Sequence, residues 1–171
     1  MPPGVVLDSP RTEDGAVLWR IARDSRVLDL NSSYSYLLWC RDYAATSIVA
    51  RDATDPLQAP VGFITGYTRP DAPRTLLIWQ VAVDSSRRGQ GLAGAMLDAL
   101  ALRAGATCGV DVIETTITPG NKASHRLFTS FAERHSAAVA REVLFDAGAF
   151  PEAGHEPEVL YRIGPLTADR P

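Results

Sequence analysis

Apolar positions along this chain come in short runs broken by turn residues, with two longer stretches of helical spacing between them. Residues 46–51 ("TSIVAR"), 61–69 ("VGFITGYTR") and 75–83 ("TLLIWQVAV") are rich in β-branched and aromatic side chains. They predict three strands, the last apolar enough for the middle of a sheet. "PDAP" reads as the turn between the second and third. Residues 16–22 ("AVLWRIA") alternate well enough to predict an earlier strand. Within 28–44, Tyr34, Leu37, Leu38 and Arg41 recur at helical spacing behind a cap at Asn31, Ser32 or Ser33. Leu92, Met96, Leu97 and Leu100 form one stripe of a second helix. Then follow a strand over 110–118, a helix over 119–131 capped near Asn121, and two closing strands over 138–145 and 158–164. The order β-α-β-β-β-α-β-α-β-β predicts an α/β (α+β) fold: a mixed, mostly antiparallel central sheet flanked by helices. Residues 1–14, rich in Pro, Ser and charge, are expected to be a flexible segment before a single domain over 15–171.

Composition narrows the class of partner. At 46% hydrophobic over 171 residues the chain can build a full core. Its 17 basic and 20 acidic residues leave a net charge of -3, with no global pull toward nucleic acid or anionic membrane. Cys40 and Cys108 are far apart, and no CxxC, HxxH or HExxH pattern occurs, so neither a disulfide framework nor a metal is indicated. There is no signal-peptide pattern, and no run approaches the ~18 apolar residues of a membrane span, so a cytoplasmic location is expected.

The chemistry starts at residues 81–100, "VAVDSSRRGQGLAGAMLDAL", where a strand pattern passes through two arginines and three glycines into a helix pattern. Unpaired N–H groups and the dipole at such a helix start attract an anion. A nucleotide P-loop is disfavoured: Gly89 and Gly94 have its spacing, but Ala95 and Met96 stand where Lys and Ser/Thr belong. A dinucleotide turn matches "GQGLAG" literally, yet five residues separate the strand from the first glycine. The third pattern is R-x-x-G-x-A, formed by Arg88, Gly89, Gln90, Gly91, Leu92 and Ala93. It resembles the acyl-CoA signature of the GNAT N-acetyltransferase superfamily.

That resemblance implies the GNAT acyl-CoA N-acyltransferase fold with acetyl-CoA as cosubstrate and no metal. It puts a diphosphate on the main chain of residues 88–93, with Arg87 and Arg88 adding charge. The strand before the motif then splays from its neighbour through a bulge. Val81 and Val83 lie along the pantetheine arm, and an N–H near Val81 faces the thioester oxygen. Asn121 falls where the family keeps an asparagine near the cofactor arm, though it also reads as a plain helix cap. Many relatives carry a tyrosine on this helix to protonate the departing thiolate; by position this chain has Phe128.

The acceptor is suggested by two other stretches. "LDLNSSYSYLLWCRDYAATSIVA" and "HEPEVLYRIG", together with "WQVAV", resemble the L-2,4-diaminobutyrate acetyltransferase family of ectoine biosynthesis over roughly residues 16–164. The resemblance implies acetyl transfer to the 4-amino group of a small diamino acid and a homodimer. An acceptor carrying two ammonium groups calls for acids to hold them and a base to free one nitrogen for attack. Asp29, Glu158 and His155 are the candidates, with Val81 as the oxyanion donor. Trp79 can wall the pocket with its ring face, and Tyr34 or Tyr36 can bond the acceptor or protonate the thiolate. Arg41 can hold the acceptor carboxylate or simply pair with Asp42. The bland readings are a helix-start acid for Asp29, a strand-end charge for Glu158, a loop histidine for His155 and a core tryptophan for Trp79. His125 and His135 read as surface residues. Another small amine as acceptor, or a CoA-binding module without turnover, remain open on the residues alone.

Overall fold

A computed structural model describes residues 4–26, 28–151 and 153–166. Its seven strands are β1 (Val5–Asp8), β2 (Ile48–Asp52), β3 (Pro60–Arg69), β4 (Ala72–Val83), β5 (Val112–Ile117), β6 (Val139–Phe145) and β7 (Glu158–Ile163). They form one sheet in the order β1-β2-β3-β4-β5-β7-β6, antiparallel except where β4 meets β5. The helices are α1 (Gly15–Ser25), α2 (Ser33–Asp42), α3 (Leu92–Cys108) and α4 (Lys122–Arg134). The mixed sheet with flanking helices is the fold class that the residue pattern predicts.

Side chains alternate across the sheet, so each face makes its own core. Ile48, Ala50 and Ile64 pack with Met96, Leu97 and Leu100 of α3 and with Phe128 and Phe131 of α4. Val49, Phe63 and Ala82, the intervening positions, pack with Leu18 and Ile21 of α1 and Tyr36 and Cys40 of α2. Burying each large apolar side chain contributes about 1.5–3 kcal/mol, so this double layer holds the sheet against helices on both sides.

Two expectations are corrected. Residues 16–22 are helical, not extended: besides Gly15, the buried positions of α1 are Leu18, Ile21, Ala22 and Ser25, an i, i+3, i+4, i+7 set. Seven residues of "AVLWRIA" satisfy both periods, and packing on the sheet selects the helix. The first strand lies earlier, inside the segment expected to be flexible. Val5–Asp8 pairs antiparallel with β2, and Asp14 is buried against Arg51, whose Nη1 and Nη2 donate to its Oδ1 and Oδ2 at 2.9 and 2.7 Å. Residues 1–3 and 167–171, at the ends of the two expected segments, lie outside the described residues.

Candidate active site

β4 carries one residue too many for its partner. Thr65 of β3 pairs with Gln80, and the next residue, Gly66, pairs with Ile78, so Trp79 is the extra residue of a β-bulge. A side chain cannot sit at Gly66: a Cβ there would meet the Leu77 carbonyl oxygen at 2.8 Å and that of Thr46 at 3.1 Å. On its other edge β4 pairs with β5 only from Thr75 to Ile78, the last pair being Ile78 with Thr115. Beyond that point both strands continue but separate, and the β5-facing edge of β4 from Trp79 to Val83 has no strand partner among the described residues.

Two cavities flank this free edge. One, of about 680 Å³, lies over the start of α3 and is lined by Val83, Arg88, Gly89, Gly91, Leu92 and Ala93, with Arg126 and Arg134 across it on α4. Gly89 and Gly91 have φ of +75° and +76°, and the second is the N-cap of α3. Side chains rarely adopt that conformation. No atom lies within 4 Å of a Cβ built at either glycine, so the turn opens its backbone to the cavity. No acid occupies the first turn of α3, and the helix dipole is left uncompensated there. Arg88 and Arg126 make no ion pair among the described residues, whereas Arg134 pairs with Asp98 at 3.0 Å. Arg87 pairs with Asp52, so its charge is partly spent within the fold. Gln90 is exposed and does not line the cavity. The bare amides, open glycines and arginines without an ion pair suit an anion such as a diphosphate.

The second cavity, about 430 Å³, fills the gap between β4 and β5. It brings together Asp29, Trp79, His155 and Glu158 with Val81, Asn121 and Phe128. Val81 and Val83, two residues apart and so about 6.6 Å, reach one cavity each. Asn121 serves twice: its side chain accepts from Ser124 N at 3.0 Å to cap α4, and it lines the gap. The loop before β7 is tied to the start of α4, where Gly120 N donates to Glu156 Oε2 at 3.0 Å. His155 stacks on Phe150, centroids 3.6 Å apart. Its Nδ1 lies 2.6 Å from the Glu156 carbonyl oxygen. A carbonyl only accepts, so Nδ1 is the donor, and Nε2 is the ring nitrogen not used in this bond. Trp79 is 40% exposed and lies over Trp39, centroids 4.7 Å apart at 28°.

The tyrosines go elsewhere. Tyr34 is 65% exposed and does not line the cavity. Tyr36 is fully buried behind it, and its hydroxyl donates to Gln80 Oε1 at 3.0 Å. Burial pushes this phenol above its ordinary pKa, opposed by its hydrogen bonds with Gln80 and Asn31. With its proton already committed, Tyr36 is placed as a support and not at the thioester. Arg41 pairs with Asp42 at 2.6 Å, the bland alternative. Several polar residues that line the gap were not singled out from sequence: Gln80, Thr115, Thr116, Thr118 and Ser124. Only Gln80, a lone amide in "LLIWQVAV", left a readable signal. Among the described residues no group of three or more His, Cys, Asp or Glu is placed to hold a metal, and no helix is long and apolar enough to cross a membrane.

A splayed parallel strand pair leading into a glycine-opened helix start defines a class of acyl-CoA-dependent transferases. The chain belongs to the acetyltransferase (GNAT) family, which it matches over residues 16–132. Within that class, curated relatives that cover nearly the whole chain share one name. It is 66% identical to an L-2,4-diaminobutyric acid acetyltransferase of Streptomyces coelicolor over 95% of this chain and 94% of that one. It is 42% identical to the enzyme of the same name from Marinococcus halophilus over 95% and 91%. Among solved structures it is similar to the diaminobutyrate acetyltransferase EctA from Paenibacillus lautus in complex with L-2,4-diaminobutyric acid and coenzyme A. The TM-score is 0.87 at 41% identity, with 98% of each chain covered.

Proposed function

We propose that this chain transfers the acetyl group of acetyl-CoA to the 4-amino group of L-2,4-diaminobutyrate, by direct attack in a ternary complex. One observation carries the reading. The structure that holds that acceptor and coenzyme A together is 41% identical over 98% of this chain, and here the same fold has an amide-lined cavity and an acid-lined gap on either side of β4. The diphosphate rests on residues 88–93, and the pantetheine extends along the free edge of β4 past Val83 to Val81. Asp29 and Glu158 pair with the ammonium groups, and Trp79 walls the pocket. A base, for which His155 and Glu158 are placed, takes a proton from the 4-ammonium. The freed nitrogen bonds to the thioester carbon while an N–H near Val81 meets the growing oxyanion. The C–S bond then breaks, coenzyme A departs as thiolate, and the new amide nitrogen gives its second proton to solvent. No tyrosine faces it from α4, where Phe128 lines the gap; a thiol of ordinary pKa near 8.5 leaves without an acid. The reading includes a cytoplasmic setting, where acetyl-CoA is supplied, and a homodimer.

The test is to mix protein, acetyl-CoA and diaminobutyrate, follow free thiol, and assign the acylated nitrogen by NMR. Thiol release with acetyl on the 4-nitrogen is expected. No release with any small amine would leave a CoA-binding module; release with spermidine but not diaminobutyrate would assign a different acceptor. A single light-scattering run decides the dimer.

A further inference from the structure

Gln80 is a side-chain amide in the middle of an apolar strand, only 4% exposed. Burying an amide is costly unless both ends are bonded. Here both are: Oε1 accepts from the Tyr36 hydroxyl at 3.0 Å, and Nε2 donates to the Asp29 carbonyl at 2.9 Å. The orientation follows from chemistry, because a main-chain carbonyl can face only the NH₂ end. Gln80 also lines the gap between β4 and β5.

Its place in the chain gives these bonds a consequence. Gln80 is the residue directly after the bulge at Trp79 and directly before Val81. Its main chain therefore belongs to the edge that takes the thioester, and its side chain holds the main chain of an acceptor-side acid. Asp29 itself is exposed, and other bonds of its loop are local, among them Leu28 N to Ser25 Oγ at 3.4 Å and Asn31 Nδ2 to the Asp29 carbonyl at 3.3 Å. Among the described residues, the Gln80 bond is the one hydrogen bond between this loop and the sheet.

We propose that Gln80 is a positioning residue that sets the Asp29 carboxylate in register with the thioester-binding edge of β4, and so helps select which amine of the diamino acid is acylated. The inference rests on the function proposed above. In diaminobutyrate three carbons lie between the 2- and 4-nitrogens, so a loop displaced by an ångström or two changes which nitrogen meets the thioester. Gln80 touches neither reacting atom in this account; it acts through Asp29.

Gln80→Glu is the first test. It keeps the shape and still accepts from Tyr36, but it sets a carboxylate against the Asp29 carbonyl with no hydrogen between them. Gln80→Leu removes both bonds. In each variant the KM for diaminobutyrate is expected to rise at least tenfold, with a measurable fraction of product acetylated on the 2-nitrogen. Coenzyme A affinity stays within twofold. In the unsubstituted protein, the side-chain NH₂ resonances of Gln80, assigned by their loss in Gln80→Glu, are expected to shift when diaminobutyrate joins the coenzyme A complex. That readout stands even where a variant folds poorly. Unsubstituted protein that turns over diaminobutyrate establishes the underlying reaction. Given that turnover, an unchanged KM and product, or silent NH₂ resonances, overturns the role of Gln80 alone and leaves it a core amide.

Discussion

Replacing Gly91 by aspartate separates the cofactor cradle from the fold that carries it. Gly91 is the N-cap of α3 at φ +76°, with no atom within 4 Å of a built Cβ, so the new side chain meets no protein. The left-handed backbone costs about 1–2 kcal/mol for an ordinary side chain. Aspartate tolerates it better than most, and as an N-cap beside the helix dipole it returns a few tenths to about 1 kcal/mol. The net loss of stability is therefore about 1 kcal/mol or less, a fall in Tm of about 2–4 °C for a domain of this size. The ligand feels a larger effect. A carboxylate about 5 Å from one phosphate charge, at an effective dielectric of about 20, opposes binding by about 3 kcal/mol. Screening trims that to about 2, which is still about 30-fold in affinity. Gly109→Asp is the control, since Gly109 caps the other end of α3 at φ +68° with equally open space and no cavity. Calorimetry with coenzyme A should show a weakening of at least 30-fold for Gly91→Asp and none for Gly109→Asp. Equal affinities in the two variants would refute the placing of the diphosphate on residues 88–93.

Arg51 and Asp14 are 4% and 8% exposed at their side chains, so Arg51→Ala strands a buried carboxylate and should cost about 3–5 kcal/mol, seen as a clear fall in denaturation midpoint; a loss under about 1 kcal/mol would mean water reaches the pair. Cys40 is buried, with desolvation pushing its thiol up to about 12 from an ordinary 9.0, while Cys108 is exposed. A disulfide reagent at pH 8 should therefore titrate one thiol in the folded protein and two after denaturation. A folded-state pKa raised above the unfolded one also sets a pH window: the contribution of Cys40 is complete below about pH 9 and is lost as pH rises toward about 12. Cys40→Ala should flatten that part of the stability profile, and an unchanged profile would sink the assignment.

The cofactor half of the site was far more legible than the acceptor half. Residues 88–93 are local: the arginine, the glycines and the helix they open are contiguous, and the conformation each glycine must take is dictated by its own backbone. Asp29, Trp79, His155 and Glu158 come from three separate parts of the chain and meet through sheet pairing that no local pattern encodes. Residue type flagged them; only the fold shows them facing one cavity. The tyrosines illustrate the limit. Residues two apart on a helix point about 200° away from each other, so one of Tyr34 and Tyr36 had to face inward. Docking of α2 chose Tyr36. β1 was invisible for another reason: four residues among prolines and charges make no periodic signal, and they are extended because β2 offers them an edge.

The acid-lined gap and the amide cradle sit together because they share one cause. β4 and β5 are the parallel pair of the sheet, joined by the crossover through α3. In a parallel pair, a ligand site forms beyond the carboxyl ends of the strands, where the connecting helix begins. Pairing of β4 with β5 stops at Ile78, one residue before the bulge, so the last five residues of β4 run toward its carboxyl end without β5. The bulge requires the close approach that Gly66 alone permits, and the extra residue it inserts is Trp79, stacked on Trp39 and lining the gap. The bulge thus lies beside the unpaired strand edge and sets an aromatic ring in the gap, just upstream of residues 88–93. In the proposed reading the diphosphate and the reacting amine are held at opposite ends of a few residues of β4. Their separation is set by strand geometry, about 3.3 Å per residue, and not by the longer, softer loops that carry the acids.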